Sequence, residues 1–211
     1  TRARLRHAVV DPFKDFLLRP GAFAIVLFVA LFKLGEAMAG IMTAPLYRSL
    51  GFSRETIAAT GPFSLAATLA GISVGGWVVA RIGVGRALLW TGAAQTIAMA
   101  LYVWLAMSPG GAWLLFLTVA TEAFAQGVAD AAFLTYLSGL CSLAFTATHY
   151  ALLSSIPSFA IHTIGGFSGQ LAAALGWVPF YVLCIFAAMP SMGLMVVLLR
   201  RWPPVEKPRT G

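Results

Sequence analysis

Residues 131–199 contain no Asp, Glu, Lys or Arg, an uninterrupted run of 69 residues. Residues 57–80 and 87–121 are free of them as well. A water-soluble domain cannot leave such lengths without ionisable surface, whereas a bilayer-spanning helix needs about 20 mainly apolar residues. Composition agrees: 10% of residues are charged and 60% hydrophobic, against about 25% and 45–50% in soluble domains. These figures exclude a soluble globular enzyme, a disordered chain and a disulfide scaffold. Membrane β-strands would appear as alternating segments of about 10 residues. The runs here are long and rich in Leu, Ala and Gly, so the spans are helices.

Six helices are expected, at about 22–46, 57–80, 87–107, 113–137, 150–174 and 177–199. Gly, Pro and polar residues punctuate them: 50–55, the Arg81-to-Arg86 segment, 108–111, 138–148 and Gly176-Trp177. An even number puts both termini on one side. That side holds Arg2, Arg4, Arg6, Lys14, Arg19, Arg81, Arg86, Arg200, Arg201, Lys207 and Arg209, and the other only Arg48 and Arg54. The excess of basic residues places both termini in the cytoplasm. All six Trp residues (77, 90, 104, 113, 177 and 202) fall near span ends, as an interfacial aromatic belt requires. Residues 1–20 mix Val9, Val10, Phe13, Phe16 and Leu17 with basic residues, the pattern of an amphipathic surface segment rather than a signal peptide. The six-helix bundle then occupies 21–200 and a basic, Pro-rich cytoplasmic tail 201–211. The chain opens on Thr and is expected to be the C-terminal piece of a longer protein. Cys141 and Cys184 fall in or beside spans and suggest apolar fillers, not a disulfide framework or a metal site.

The spans repeat. Glu36-Ala37-Met38-Ala39-Gly40 in the first resembles Glu122-Ala123-Phe124-Ala125-Gln126-Gly127 in the fourth. The second and fifth each carry an early proline, Pro62 and Pro157, followed by Gly71, Gly75 and Gly76 or by Gly165, Gly166 and Gly169. The repeats cover about 22–107 and 113–199. A repeat of three helices is odd, so its second copy enters the membrane inverted. Inverted three-helix repeats mark secondary transporters, and two of them build one six-helix half of a major facilitator fold. Gly71-x-x-x-Gly75 and Gly165-x-x-x-Gly169 are spaced for close helix approach.

Gly76 followed by Arg81-Ile82-Gly83-Val84-Gly85-Arg86 resembles the loop between the second and third helices of a major facilitator half, with Ala80 where that loop carries an acid. The resemblance sharpens along the chain. Val10-Asp11-Pro12-Phe13-Lys14-Asp15-Phe16, Leu31-Phe32-Lys33-Leu34-Gly35-Glu36, Ala131-Ala132-Phe133-Leu134, the segment 146–155 and Gly176-Trp177-Val178-Pro179-Phe180-Tyr181 are similar to the AmpG-type muropeptide permeases. It covers nearly the whole chain but only the second half of such a transporter. Asp130 and His149 depart from the family pattern. The resemblance implies proton-driven import of anhydro-muropeptides across the bacterial inner membrane, with the N-terminal six-helix half, the lipid bilayer, a sugar–peptide and protons as partners.

Ionisable residues within a bilayer are costly and are functional candidates by default. Lys33 and Glu36 are neighbours on one helix face and read either as a substrate-binding cation beside a titrating carboxylate or as a self-neutralising pair. Glu122, Gln126 and Asp130 step by four along the fourth span, with Thr118 extending the stripe. A polar stripe must face the bundle interior or a water-filled cavity. Carboxyl groups in low-dielectric cavities can exchange protons near neutral pH, and Glu122 is the leading candidate for that role. His162 reads as a proton relay or substrate contact, or as a packing residue. Gly76, Arg81, Gly83 and Arg86 are candidates for a conformational loop.

Gly166-Phe167-Ser168-Gly169 matches an intramembrane serine-protease pattern, but that chemistry needs an activating His on a later helix, and all three His (7, 149 and 162) precede Ser168. No enzyme, cofactor, metal or nucleic-acid function is expected. The expected function is a proton-coupled importer working by alternating access, with Lys33, Glu36, Glu122 and Gln126 facing the substrate. The alternatives are a permease for another solute, such as an acyl-CoA or a sugar, and a non-transporting six-helix scaffold or sensor. A scaffold would bury residues 36, 122 and 126 against helices rather than expose them on one concave face.

Overall fold

The computed structural model describes residues 21–108, 111–140, 155 and 165–201. The helices among them are α1 (Ala22–Ser49), α2 (Arg54–Ile82), α3 (Val84–Ala98), α4 (Ala100–Met107), α5 (Ala112–Leu140), α6 (Ser168–Leu175) and α7 (Trp177–Arg201). A single 3₁₀ turn, Gly165–Phe167, precedes α6. Five stretches are long and apolar enough to cross a membrane: α1, α2, α3 with α4, α5 and α7. The chain is a multi-pass membrane protein. Of the fifth expected span, at 150–174, only Ser155 and the residues from Gly165 onward are described. Pro157, His149, His162, Cys141, the amphipathic segment 1–20 and the tail beyond Arg201 lie outside the described residues.

The helices run two or three residues past the apolar windows because their ends are capped by polar and glycine residues that hydropathy does not register. After α1, Gly51 takes φ 84°, where a side chain would be strained. This lets the Phe52 N–H reach the Tyr47 carbonyl at 3.2 Å and closes the helix end. Ser53 then starts α2, its hydroxyl accepting the Thr56 N–H at 3.1 Å. The segment expected as a loop over 81–86 is a one-residue turn. Gly83, at φ 82°, donates its N–H to Val79 and accepts from Ala87, each at 3.0 Å. Arg81 therefore belongs to the last turn of α2 and Arg86 to the first turns of α3, both exposed. Arg81 stacks over Trp77 at 5.2 Å, and Gly76 lies mid-helix facing open space.

Two tight helix pairs hold the bundle. In the first, Gly71 and Gly75 of α2 face α5, and Gly127 of α5 faces α2. A Cβ on Gly75 would stand 2.6 Å from the Val128 carbonyl and one on Gly127 2.5 Å from the Thr68 carbonyl. In the second, Gly35 of α1 lies against α7, where a Cβ would meet the Cys184 carbonyl at 2.7 Å. Without a hydrophobic driving force between helices in lipid, close approach of backbones supplies the packing energy. Helix α3 lies between these pairs, touching both α5 and α7. Helix α2 buries only Thr60, Gly71 and Gly75, and it exposes Phe63, Leu65, Leu69, Ile72 and Trp77.

The interior divides into two apolar layers. One holds Phe28, Phe32, Leu88, Ala129, Phe133, Tyr136 and Met195, with Phe32 and Phe133 stacked at 5.0 Å. The other holds Met38, Tyr47, Tyr102, Leu115, Phe180, Tyr181 and Cys184. Cys184 is buried and free, as an apolar filler would be. Residues 33–36 of α1 fall between the layers.

Gly71→Ile should destabilise the protein by about 1–3 kcal/mol, the usual cost of forcing carbon into a packed site. The thermal midpoint of the detergent-solubilised protein reads this. Gly76→Ala, beside open space, should stay within about 0.5 kcal/mol of the parent.

Candidate functional site

Between the two layers, α1, α3 and α5 bring five polar side chains together. Lys33 and Glu36 sit one turn apart on α1 and pair directly, Nζ to Oε2 at 2.7 Å. Lys33 also pairs with Asp130 of α5. Its ammonium lies 5.8 Å from the centre of the Phe133 ring, a favourable face for a cation. Glu36 accepts from both flanking helices: Gln95 of α3 donates to Oε2 at 2.9 Å, and Gln126 of α5 donates to Oε1. Glu36 thus receives three charge-assisted or amide hydrogen bonds, which compensate for the removal of its charge from water. Removing one member of such a partly buried pair costs more than the pair itself contributes, because it leaves the partner's charge uncompensated.

A concave wall of about 490 Å³ opens beside this network. Glu36, Glu122 and Gln126 line it together, with Thr43 and Tyr47 of α1, Thr60 and Ser64 of α2, and Tyr102 of α4. Glu122 interacts electrostatically with Tyr47 and Tyr102. A second, water-sized cavity of about 10 Å³ lies on the other side of Glu36, between α1, α3 and α7. Gln95, Thr96, Met99 and Ser191 are among its lining residues.

The expected residues therefore separate. Glu36, Glu122 and Gln126 share the large cavity, while Lys33 and Asp130 pair with each other away from its lining. The expected stripe on the fourth span is divided: Thr118 is fully buried and donates to the Leu114 carbonyl of its own helix. His162 lies outside the described residues. Gly76, Arg81, Gly83 and Arg86 are not in the network or among the cavity lining. Sequence reasoning missed Gln95, Tyr47 and Tyr102. An uncharged amide in the third span was the available signal for Gln95, since a buried amide needs partners. The tyrosines carried no signal beyond aromatic content. Ser168 of the protease-like motif is fully buried, its hydroxyl without a hydrogen-bond partner among the described residues.

No protein-family model matches the chain. It is 35% identical over 196 residues to a putative transporter AmpG 4 of Rickettsia felis, covering 92% of this chain and 47% of that protein. A putative transporter AmpG 4 of Rickettsia conorii is 37% identical, with 90% and 46% covered. The anhydromuropeptide permease of Escherichia coli is 33% identical, with 92% and 40% covered. The chain spans less than half the length of these relatives and corresponds to their C-terminal part. They are named as transporters and permeases, not enzymes.

Lys33→Met should leave Glu36 and Asp130 facing each other without their cation and destabilise the protein by about 3 kcal/mol. Asp130→Asn, which leaves the Lys33–Glu36 pair in place, should cost less than half of that. Thermal midpoints of both variants and of the double variant check the ranking.

Proposed function

We propose that this chain, a segment of an AmpG-type permease, forms one six-helix half of a major facilitator transporter that imports anhydro-muropeptides or related sugar–peptides together with protons. The observation that carries the reading is the shared cavity. Glu36, Glu122 and Gln126, from two helices far apart in sequence, line one concave face with hydroxyl groups around them. A non-transporting scaffold has no use for two carboxyl groups on an open wall inside a bilayer, where each charge is costly. The second wall of the site would come from the N-terminal half, the two halves rocking about the midplane.

The packing pattern supports an inverted repeat. Exchanging the first span with the fourth and the third with the sixth turns the α3–α5 contact into the α7–α1 contact, and both contacts exist. The α3–α7 contact maps onto itself and exists too. The exchange also relates Glu36 to Glu122, the two carboxyl groups of the cavity.

Charge counting supports proton coupling. Among the described residues, the polar layer and cavity hold three carboxyl groups, Glu36, Glu122 and Asp130, and one ammonium, Lys33. Lys33 is committed to Glu36 and Asp130, so Glu122 is the carboxyl group whose charge a proton can remove without breaking an ion pair. Taking up that proton lets the cavity close around less charge, which is the energetic basis of coupling. With the basic ends of α2, α3 and α7 in the cytoplasm, Arg81, Arg86, Arg200 and Arg201 mark the inner face of a bacterial inner membrane.

In the full-length transporter, Glu122→Gln should leave the protein folded and flatten the pH dependence of muropeptide uptake into proteoliposomes. An unchanged pH profile would overturn the proton role. The isolated segment, lacking the second wall, should show no uptake; robust transport by the segment alone would sink the half-transporter reading.

A further inference from the structure

Gln95 is 5% exposed and sits on α3, off the large cavity. Its amide nonetheless reaches the cavity carboxylate Glu36, Nε2 to Oε2 at 2.9 Å. Glu36 borders both cavities: Gln126 holds Oε1, and Lys33 and Gln95 hold Oε2. We propose that Gln95 is a positioning residue for transport, anchoring Glu36 from behind so that its carboxylate is presented to the substrate cavity in one orientation. The inference rests on the transport reading above and assigns a role in it to a residue that never meets the substrate.

Three features favour positioning over simple packing. The amide donates to a charged acceptor, the stronger class of hydrogen bond. A water-sized cavity adjoins Gln95 and Glu36, so the α3 side of Oε2 is held by the amide and not by packed carbon, and without the amide only Lys33 holds Oε2. Finally, α3 is interrupted one turn after Gln95. The Met99 N–H bonds the Gln95 carbonyl at 3.0 Å, and the Tyr102 N–H bonds the Met99 carbonyl at 3.1 Å, a local tightening between i and i+3. It joins a residue holding Glu36 to Tyr102, which lines the cavity with Glu122. One span thus touches the surroundings of both cavity carboxyl groups.

The groups facing Glu36 are known on each element among the described residues. Lys33 comes from α1, and Gln126, Glu122 and Asp130 from α5. Thr60 and Ser64 of α2 and Tyr102 of α4 share its large cavity, and Ser191 of α7 shares the small one. Among the described residues, no helix packed around Glu36 supplies a second cation beside Lys33, so a carboxylate at position 95 would meet Glu36 directly.

Gln95→Glu is the discriminating variant because it is isosteric. Protonated, its hydroxyl can donate to Glu36 as the amide does; ionised, it repels Glu36. In the full-length transporter, uptake by Gln95→Glu should fall about tenfold at alkaline pH and return toward parental uptake as the pH is lowered, while Gln95→Leu should lose about tenfold at every pH, mainly through KM. The thermal midpoint of purified Gln95→Glu against pH reads the same contact without substrate and should rise relative to the parent as the pH falls. A parental uptake profile for Gln95→Glu, or parental KM for Gln95→Leu, overturns the proposal. So does a shifted thermal curve with unshifted uptake, which would make the contact purely structural. Parental protein that takes up no muropeptide at any pH would instead overturn the transport reading.

Discussion

One ammonium group organises the middle of this bundle. Lys33 lies between Glu36 on its own helix and Asp130 on α5, and Glu36 is tied in turn to Gln95 of α3 and Gln126 of α5. In hydrocarbon an uncompensated charge is far more costly than any single packing contact. The positions of α1, α3 and α5 at this depth are therefore set by the need to bring these partners together. The two apolar layers fill the space on either side of them.

The network also decides which polar groups remain on the cavity wall. By pairing with two carboxylates, Lys33 is withdrawn from the cavity, and the wall keeps Glu36, Glu122, Gln126 and a set of hydroxyl groups. Close approach of α2 to α5 depends on Gly71, Gly75 and Gly127. That approach brings Thr60 and Ser64 of α2 to the same wall as Glu122 and Gln126 of α5. The structural glycines and the polar residues thus act together: the first set the distance between helices, and the second give the resulting concavity its chemistry.

Much of this was legible in the residues themselves. Charge-free runs located the spans because hydrocarbon tolerates few ions, and five of the six appear among the described residues close to their expected places. The pairing of Lys33 with Glu36 followed from helical spacing. The reach of each helix was less legible, because Ser53, Gly51 and Gly83 end or begin helices through hydrogen bonds and backbone angles. The expected loop over 81–86 shrank to Gly83 for this reason: a single residue with positive φ suffices to reverse the chain.

By itself, the sequence determined that the chain crosses a membrane as helices, that a few ionisable residues must lie within it, and which permeases it resembles. Each follows from local composition, periodicity or a matched stretch of residues. Only the tertiary structure decided how the ionisable residues divide. Asp130, expected on one polar stripe with Glu122 and Gln126, pairs with Lys33, 97 positions away in the chain. Gln95, an unremarked amide, closes on Glu36 across 59 positions. Spacing along one helix sets which side chains share a face, but the partner that meets that face depends on helix packing, which no local pattern encodes.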